Sequence, residues 1–433
     1  MCPRVHDNSG HVDFIYLREI TMNNTISDLD TDLTAVSEAE GDAAQAEAQN
    51  ASDDTYAQAV QEQLAISRSS ADCRYIGIDL HSNNIWLSVI VNEQRPSGPV
   101  GKVIFSRSIS TQRVDGTLPE DLIKSVLEKF CKDQPHIACV EATYNWYWLA
   151  NLFEKNGWNL VLADPSTVSE AKTKAADDRK DAEYLADRMR YNALRYAVIM
   201  PKELREIRDL VRTRGVAVAQ RAREKISIIN KLTNQIGRKI TGKELKELIK
   251  EHAEFGMEAP MLLNWGLTEA VRKSLNYHLK QVISISLGIQ ELEEHINAVG
   301  KNLRYTKELQ KMPGCGPVIS SILASEIGSI KRFATAANFV SYCRLASTSK
   351  LSNGKSKGLG NARNGNAYLS WAFTELATLM VRYSEAAKRH FEKLMRKYGQ
   401  LRVKAIRVLA AKLARSVYQC LSKNEPFDVL RCF

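Results

Sequence analysis

Between Arg74 and Ile109 the sequence runs through three strand-like segments in tandem, YIGIDL, IWLSVIV and KVIFSRSI, separated only by HSNN and the Pro/Gly-containing EQRPSGPVG. Connections that short leave no room for a crossover helix, so the three segments predict an antiparallel meander. The pattern then changes. A helical stretch at about residues 118 to 132 precedes the apolar strand HIACV, a helix through WYWLANLFEKN, the strand WNLVLAD and a helix through DAEYLADRMRYN. A meander followed by alternating strands and helices predicts a mixed sheet flanked by helices.

The second half of the chain reads as all-helical. Pro201 opens a long helical region in which Leu204, Ile207, Val211 and Val218 recur at helical spacing. Further on, Val282, Ile285, Ile289, Leu292, Ile296 and Val299 alternate steps of three and four, a heptad seam that suits either a coiled-coil dimer or a helix packed on its own domain. KMPGCGPVISSILASEIG places a Pro/Gly turn before an apolar helix, either a phosphate-binding turn at a helix start or a plain interhelical connection. The expected fold class is therefore α/β plus all-α. Its divisions are an acidic tail at 1–72, a mixed α/β domain at 73–200, a helical coiled-coil connector at 201–305 and a mainly helical domain at 306–433.

Charge separates the tail from the body. The 433 residues carry a net +10, but residues 1 to 72 hold 14 acids against 3 bases, a local −11 that leaves +21 on the remainder. The tail has too little apolar surface to offset its ordering entropy and reads as disordered. A basic body of that size suits a polyanionic partner such as nucleic acid, or serves as a solubilising surface charge. From Ser329 to Thr374 there is no acid at all, against seven bases: Lys331, Arg332, Arg344, Lys350, Lys355, Lys357 and Arg363. Arg382, Lys388, Arg389, Arg396 and Lys397 continue the basic run and suit either nucleic-acid contact or one solvated helix face. Eight cysteines with no CxxC pair read as reduced thiols of a cytosolic protein. No apolar run approaches the roughly 20 residues of a membrane span, and no secretory signal is present, so a cytoplasmic protein without membrane contact is expected.

Four acids stand out by position. Asp79 ends YIGIDL, Glu141 follows IACV, and Asp178 and Asp181 lie three apart in DDRKDAEYLA, which on a helix puts their Cβ atoms about 5 to 6 Å apart on one face. Gathered around one point, such acids raise each other's pKa unless a cation neutralises them. Together they can hold one or two Mg²⁺ ions against a phosphate. Each also has an ordinary structural explanation: a turn former for Asp79, a helix-start charge for Glu141, and an exposed ion-pair cluster for Asp178 and Asp181.

Taken together, IGIDLHSNN, VEATYNWYW and TKAADDRKDAEYLA resemble the RuvC-like DEDD domain of the transposases of insertion-sequence family one hundred and ten. MPGCGPVISSILASEIGSIKRF and FVSYCRLASTSKLSNGKSKGLGNARNGNAYLSWAF resemble that family's C-terminal transposase domain, so the resemblance covers about residues 74 to 430. It implies an RNase H-like (RuvC-like) sheet in which Asp79, Glu141, Asp178 and Asp181 bind Mg²⁺ or Mn²⁺, with Asp177 outside the D-x-x-D spacing. It further implies that Ser352, with Ser356 as its nearest substitute, attacks DNA to form a covalent phosphoserine link, and that Lys350, Lys355, Lys357 and Arg363 bind nucleic acid. The implied partners are donor and target DNA, a structured noncoding guide RNA and further copies of the chain in a homodimer or homotetramer, in the cytoplasm beside the nucleoid. Two other functions suit the same residues, a metal-dependent Holliday-junction resolvase or nuclease and a non-enzymatic RNA-binding scaffold. The acidic tail has no counterpart in the resemblance.

Overall fold

The computed structural model describes residues 72–112, 119–169, 177–346, 349–352, 355–359 and 365–433, which fall into two compact units, one ending at Lys202 and one running from Glu203 to Phe433. The acidic tail, up to residue 71, lies outside the described residues.

In the first unit β1 (Arg74–Leu80), β2 (Asn84–Arg95) and β3 (Gly98–Ser110) form the antiparallel meander read from the sequence. The second hairpin is longer than its Pro/Gly content suggests, because Arg95 pairs with Gly98 and only two residues turn. Pro99 is tolerated there because β3 is an outer strand. The unit continues with α1 (Pro119–Cys131), β4 (His136–Glu141), α2 (Tyr147–Lys155), β5 (Leu160–Ala163), α3 (Pro165–Ser169), α4 (Asp178–Arg190) and the two-residue β6 (Tyr196–Ala197). The strand order is β3-β2-β1-β4-β5-β6, with β4 parallel to β1 and β5, and β6 antiparallel at the far edge. This is a mixed sheet, as expected, with β6 as an addition too short to leave a sequence signal.

Alternation along β1 decides which side of the sheet each residue serves. Ile76, Ile78 and Leu80 enter a core with Ile123 and Leu127 of α1 and Leu149 and Phe153 of α2. Tyr75 faces the other side, with Ile137 and Cys139 of β4 and Leu185, Ala186 and Met189 of α4. Each fully buried aliphatic side chain contributes about 1.5–3 kcal/mol to these layers. The parity of Tyr75 places Gly77 and Asp79 on the α4 side. A Cβ on Gly77 would stand 1.8 Å from the Ala182 carbonyl oxygen, so only glycine lets α4 lie this close to β1.

In the second unit α5 (Lys202–Ile236), 35 residues and so about 52 Å long at 1.5 Å per residue, starts directly after Pro201. It is followed by α6 (Gly242–Phe255), α7 (Pro260–Asn264) and the 32-residue α8 (Glu269–Gly300). Pairs Arg214–Glu293 at 2.6 Å and Glu224–His278 at 2.6 Å show α8 running antiparallel to α5. Of the heptad seam, Val282, Ile289 and Ile296 are buried within the chain. Val282 shares a core with Ile228 and Leu232 of α5 and Leu248 of α6 at one end of the pair, and Ile296 shares another with Ile207 and Val211 at the other.

That second core also holds α9 (Thr306–Gln310), α10 (Pro317–Ile327), α11 (Ala336–Tyr342), α12 (Ala367–Tyr383), α13 (Glu385–Lys397), α14 (Arg402–Lys423) and α15 (Val429–Cys432). Between α11 and α12, β7 (Ser349–Ser352) and β8 (Lys355–Leu359) pair as an antiparallel hairpin. In the Pro/Gly turn before α10, Gly314 has φ +81° and its Cβ position lies 2.8 Å from Leu379 Cβ, which gives this glycine a packing role against α12. Among the described residues no helix is long and apolar enough to cross a membrane, and the described cysteines are free thiols.

Candidate metal centre

Strand parity brings two of the four acids to one place. Ile78 pairs with Val140 in the parallel β1–β4 ladder, so Asp79 and Glu141 follow side by side at the carboxyl ends of these strands, and both share the α4-facing parity of Tyr75 and Cys139. Asp178 and Asp181 occupy the first turn of α4, where acids favour the positive end of the helix dipole. Asp177, outside the D-x-x-D spacing, is the N-cap: its side chain accepts a hydrogen bond from the Arg179 N–H at 3.2 Å.

A histidine completes the nearest set of donors. His81 Nε2 lies 3.1 Å from Asp79 Oδ2 and 3.5 Å from Asp178 Oδ1, while Asn84 Nδ2 donates to Asp178 Oδ2 at 3.2 Å. Among the described residues, Asp79, His81 and Asp178 form a group whose donor atoms all lie within 4.8 Å of one another. Glu141 and Asp181 are outside this closest set. Asp79 is only 8% exposed, and burial pushes its carboxyl above the usual range; His81 opposes that, and the charges of Asp181 and Asp178 add to it. A buried acid raised by two acidic neighbours is a place where a divalent cation relieves repulsion, and carboxylate oxygens with one imidazole form a suitable donor set.

The β1–β2 turn that carries His81 is braced. His81 N–H donates to the Asn84 carbonyl at 3.0 Å, Thr111 N–H to the Asn83 carbonyl at 3.1 Å, and Thr111 Oγ1 to the Ser82 carbonyl at 2.6 Å. The Ser82 hydroxyl also bonds the hydroxyl of Tyr144, three residues past Glu141. Sequence reasoning passed over His81 and Asn84 as turn residues, although a turn this tight after Asp79 returns its side chains toward that acid.

The candidate serine belongs to the second unit. Ser352 is the last residue of β7, directly opposite Lys355, where the sequence reading gives only an acid-free basic stretch. Asn-Gly between two short paired segments is the hairpin signal that reading overlooked. Lys350 lies in β7 and Lys357 in β8, whereas Arg363 is outside the described residues. Arg382, Lys388, Arg389, Arg396 and Lys397 are all exposed on α12 and α13.

Both ends of the hairpin segment are pinned. Arg344 Nε donates to the Gly365 carbonyl at 2.8 Å, and the Asn366 N–H to the Tyr342 carbonyl at 2.6 Å. Gly365 has φ +94°, and its Cβ position stands 2.4 Å from the Tyr342 oxygen. Asn366 caps α12 with its side-chain oxygen and donates through Nδ2 to Glu326 Oε2 at 2.8 Å. Glu326 is fully buried in α10, with Arg212 Nε 2.7 Å and Arg208 3.0 Å from its oxygens. Burial alone would raise this carboxyl, but Arg208, Arg212 and Asn366 together hold it below the usual carboxylate range. A lone acid in the apolar helix PVISSILASEI was the available signal for this network.

Two family models match the chain. One, described as a transposase and built on the DEDD transposases of IS110, spans residues 76–236; the other, described as transposase IS116/IS110/IS902 family, spans residues 306–392. The first contains Asp79, His81, Glu141, Asp178 and Asp181, and the second contains Glu326, Ser352 and Asn366. No curated protein matches the chain.

Proposed function

The chain belongs to the IS116/IS110/IS902 family and is a DNA transposase, and from that premise we propose that it cuts and rejoins DNA strands with its sheet-face carboxylates and Ser352. The observation that carries this reading is the convergence of Asp79, Asp178 and His81 on the sheet face that also bears Glu141, inside the segment spanned by the DEDD model. The RNase H-like fold that this model implies agrees with the six-stranded mixed sheet.

Asp79, Glu141, Asp178 and Asp181 would hold Mg²⁺ or Mn²⁺. Such an ion stabilises charge on a phosphate and orients an attacking oxygen. The Ser352 hydroxyl attacks the phosphorus; a seryl–phosphate ester forms as the ester bond to one strand end breaks, and the serine proton ends on the departing oxygen. One phosphate ester replaces another, so attack by a strand hydroxyl reverses the step and reseals the backbone. Lys350, Lys355, Lys357 and Arg363 supply charge for the non-bridging oxygens. The partners are donor and target DNA and a structured noncoding guide RNA. Assembly is into a homodimer or homotetramer, and the protein works in the cytoplasm on nucleoid DNA.

The reading is tested with purified protein, donor and target duplexes, and RNA transcribed from the DNA flanking the coding region. Joined products are expected with wild type and Mg²⁺ or Mn²⁺, and none with Asp79→Asn, Glu141→Gln, Asp178→Asn or Asp181→Asn, or after ribonuclease treatment. Joining that survives the carboxylate changes overturns the metal role, and joining that survives ribonuclease overturns the guide.

A further inference from the structure

We propose that His81 is a fifth ligand of the metal centre, binding through Nε2, and that it shifts the site's preference from Mg²⁺ toward a transition-metal ion such as Mn²⁺. The inference rests on the metal-dependent reading given above and goes beyond its four carboxylates.

Three observations carry it. First, the Nε2 separations of 3.1 Å from Asp79 Oδ2 and 3.5 Å from Asp178 Oδ1 suit neighbouring ligands on one ion, which stand about 3 Å apart when each bond is near 2.1 Å. A simple ion pair accounts for them less well, because one Nε2–H points at one oxygen and cannot serve both. Second, the ring is not held there by apolar packing: the side chain is 51% exposed, the braced β1–β2 turn sets its backbone, and the contact on its Nε2 is with the carboxylates themselves. Third, Asn84 donates to Oδ2 of Asp178, which leaves Oδ1, the oxygen facing His81, for an ion; an outer amide that orients a carboxylate in this way is a usual accompaniment of a metal site.

The consequence lies in metal choice. An all-carboxylate set suits Mg²⁺, whereas an imidazole nitrogen binds it poorly and adds affinity for transition-metal ions.

The test uses the full-length protein with Mn²⁺ as probe, read by pulsed electron paramagnetic resonance and by titration. Wild type is expected to show ¹⁴N coupling to bound Mn²⁺. In His81→Gln, folded by circular dichroism, Mn²⁺ stays bound to the carboxylates, the ¹⁴N coupling disappears and Mn²⁺ affinity falls on the order of tenfold, while Mg²⁺ affinity changes by no more than about twofold. Bound Mn²⁺ without ¹⁴N coupling in wild type, or coupling that persists in His81→Gln, overturns the role of His81 and leaves the carboxylate site standing. Failure of wild type to bind Mn²⁺ at all, or undiminished binding in Asp79→Asn, overturns the metal reading and this inference together.

Discussion

A carboxylate taken out of water must be protonated or paired, and Asp79 and Glu326, the two buried acids among the described residues, meet that demand in opposite ways. Asp79 has acidic neighbours and a raised carboxyl, so its contribution to stability is present below the unfolded carboxyl pKa and is lost as pH rises through the raised folded value. At neutral pH its charge destabilises the metal-free protein. Asp79→Asn is therefore expected to raise the melting temperature in chelator-treated buffer and to abolish the increase that Mn²⁺ or Mg²⁺ gives wild type; equal stabilisation by metal in both proteins would contradict this. Glu326 lies between Arg208 and Arg212 with a lowered carboxyl, so its contribution is present above the unfolded pKa, near 4.5, and is lost as pH falls through the lower folded value. Glu326→Gln removes the charge facing two half-buried guanidinium groups and should cost about 1–3 kcal/mol in denaturant unfolding at pH 7, with a shallower acid limb. A loss under about 1 kcal/mol would mean that the network adds nothing to the fold.

The helix α4 shows how elements, rather than single residues, build the candidate metal centre. Its approach to β1 depends on Gly77, and the start of its first turn depends on Asp177. Gly77→Ala should push α4 outward, cost about 1–3 kcal/mol from overpacking and weaken Mn²⁺ binding as well. Asp177→Ala should cost about 1 kcal/mol as a lost cap, with a smaller effect on metal affinity; calorimetric melting and Mn²⁺ titration of both variants distinguish the two roles. The sequence made β1 to β5 and α4 legible because their apolar residues repeat with clear periods, while the packing on the two sides of β1 is what sets Asp79 on the face opposite Ile76 and Ile78. What stayed hidden depends on tertiary placement. His81 acts across a turn, Glu326 meets arginines more than a hundred residues away, and β6 is two residues long. The heptad seam on α8 was visible, but only the packing shows that Val282 and Ile296 face cores within the same chain and that Ile289 is buried there too.

For the molecule as a whole, charge and the division of labour between the two units set the behaviour. A body of +21 beyond the acidic segment predicts steeply salt-dependent binding. If six or more phosphates are neutralised, DNA affinity should fall about 10³-fold or more between 50 and 200 mM salt in a filter-binding series. A flat salt response would argue against a phosphate-tracking surface. The carboxylates belong to the first unit and Ser352 to the second, so the account requires both for one reaction. Covalent trapping tests that requirement most directly: wild type, Ser352→Ala and Asp79→Asn are incubated with labelled DNA, guide RNA and divalent metal, separated under denaturing conditions, and the adduct is mapped by mass spectrometry. The account predicts a protein–DNA adduct at Ser352 in wild type and none in either variant. Metal-dependent strand cleavage without an adduct in wild type, or an adduct that persists in Ser352→Ala, would contradict it.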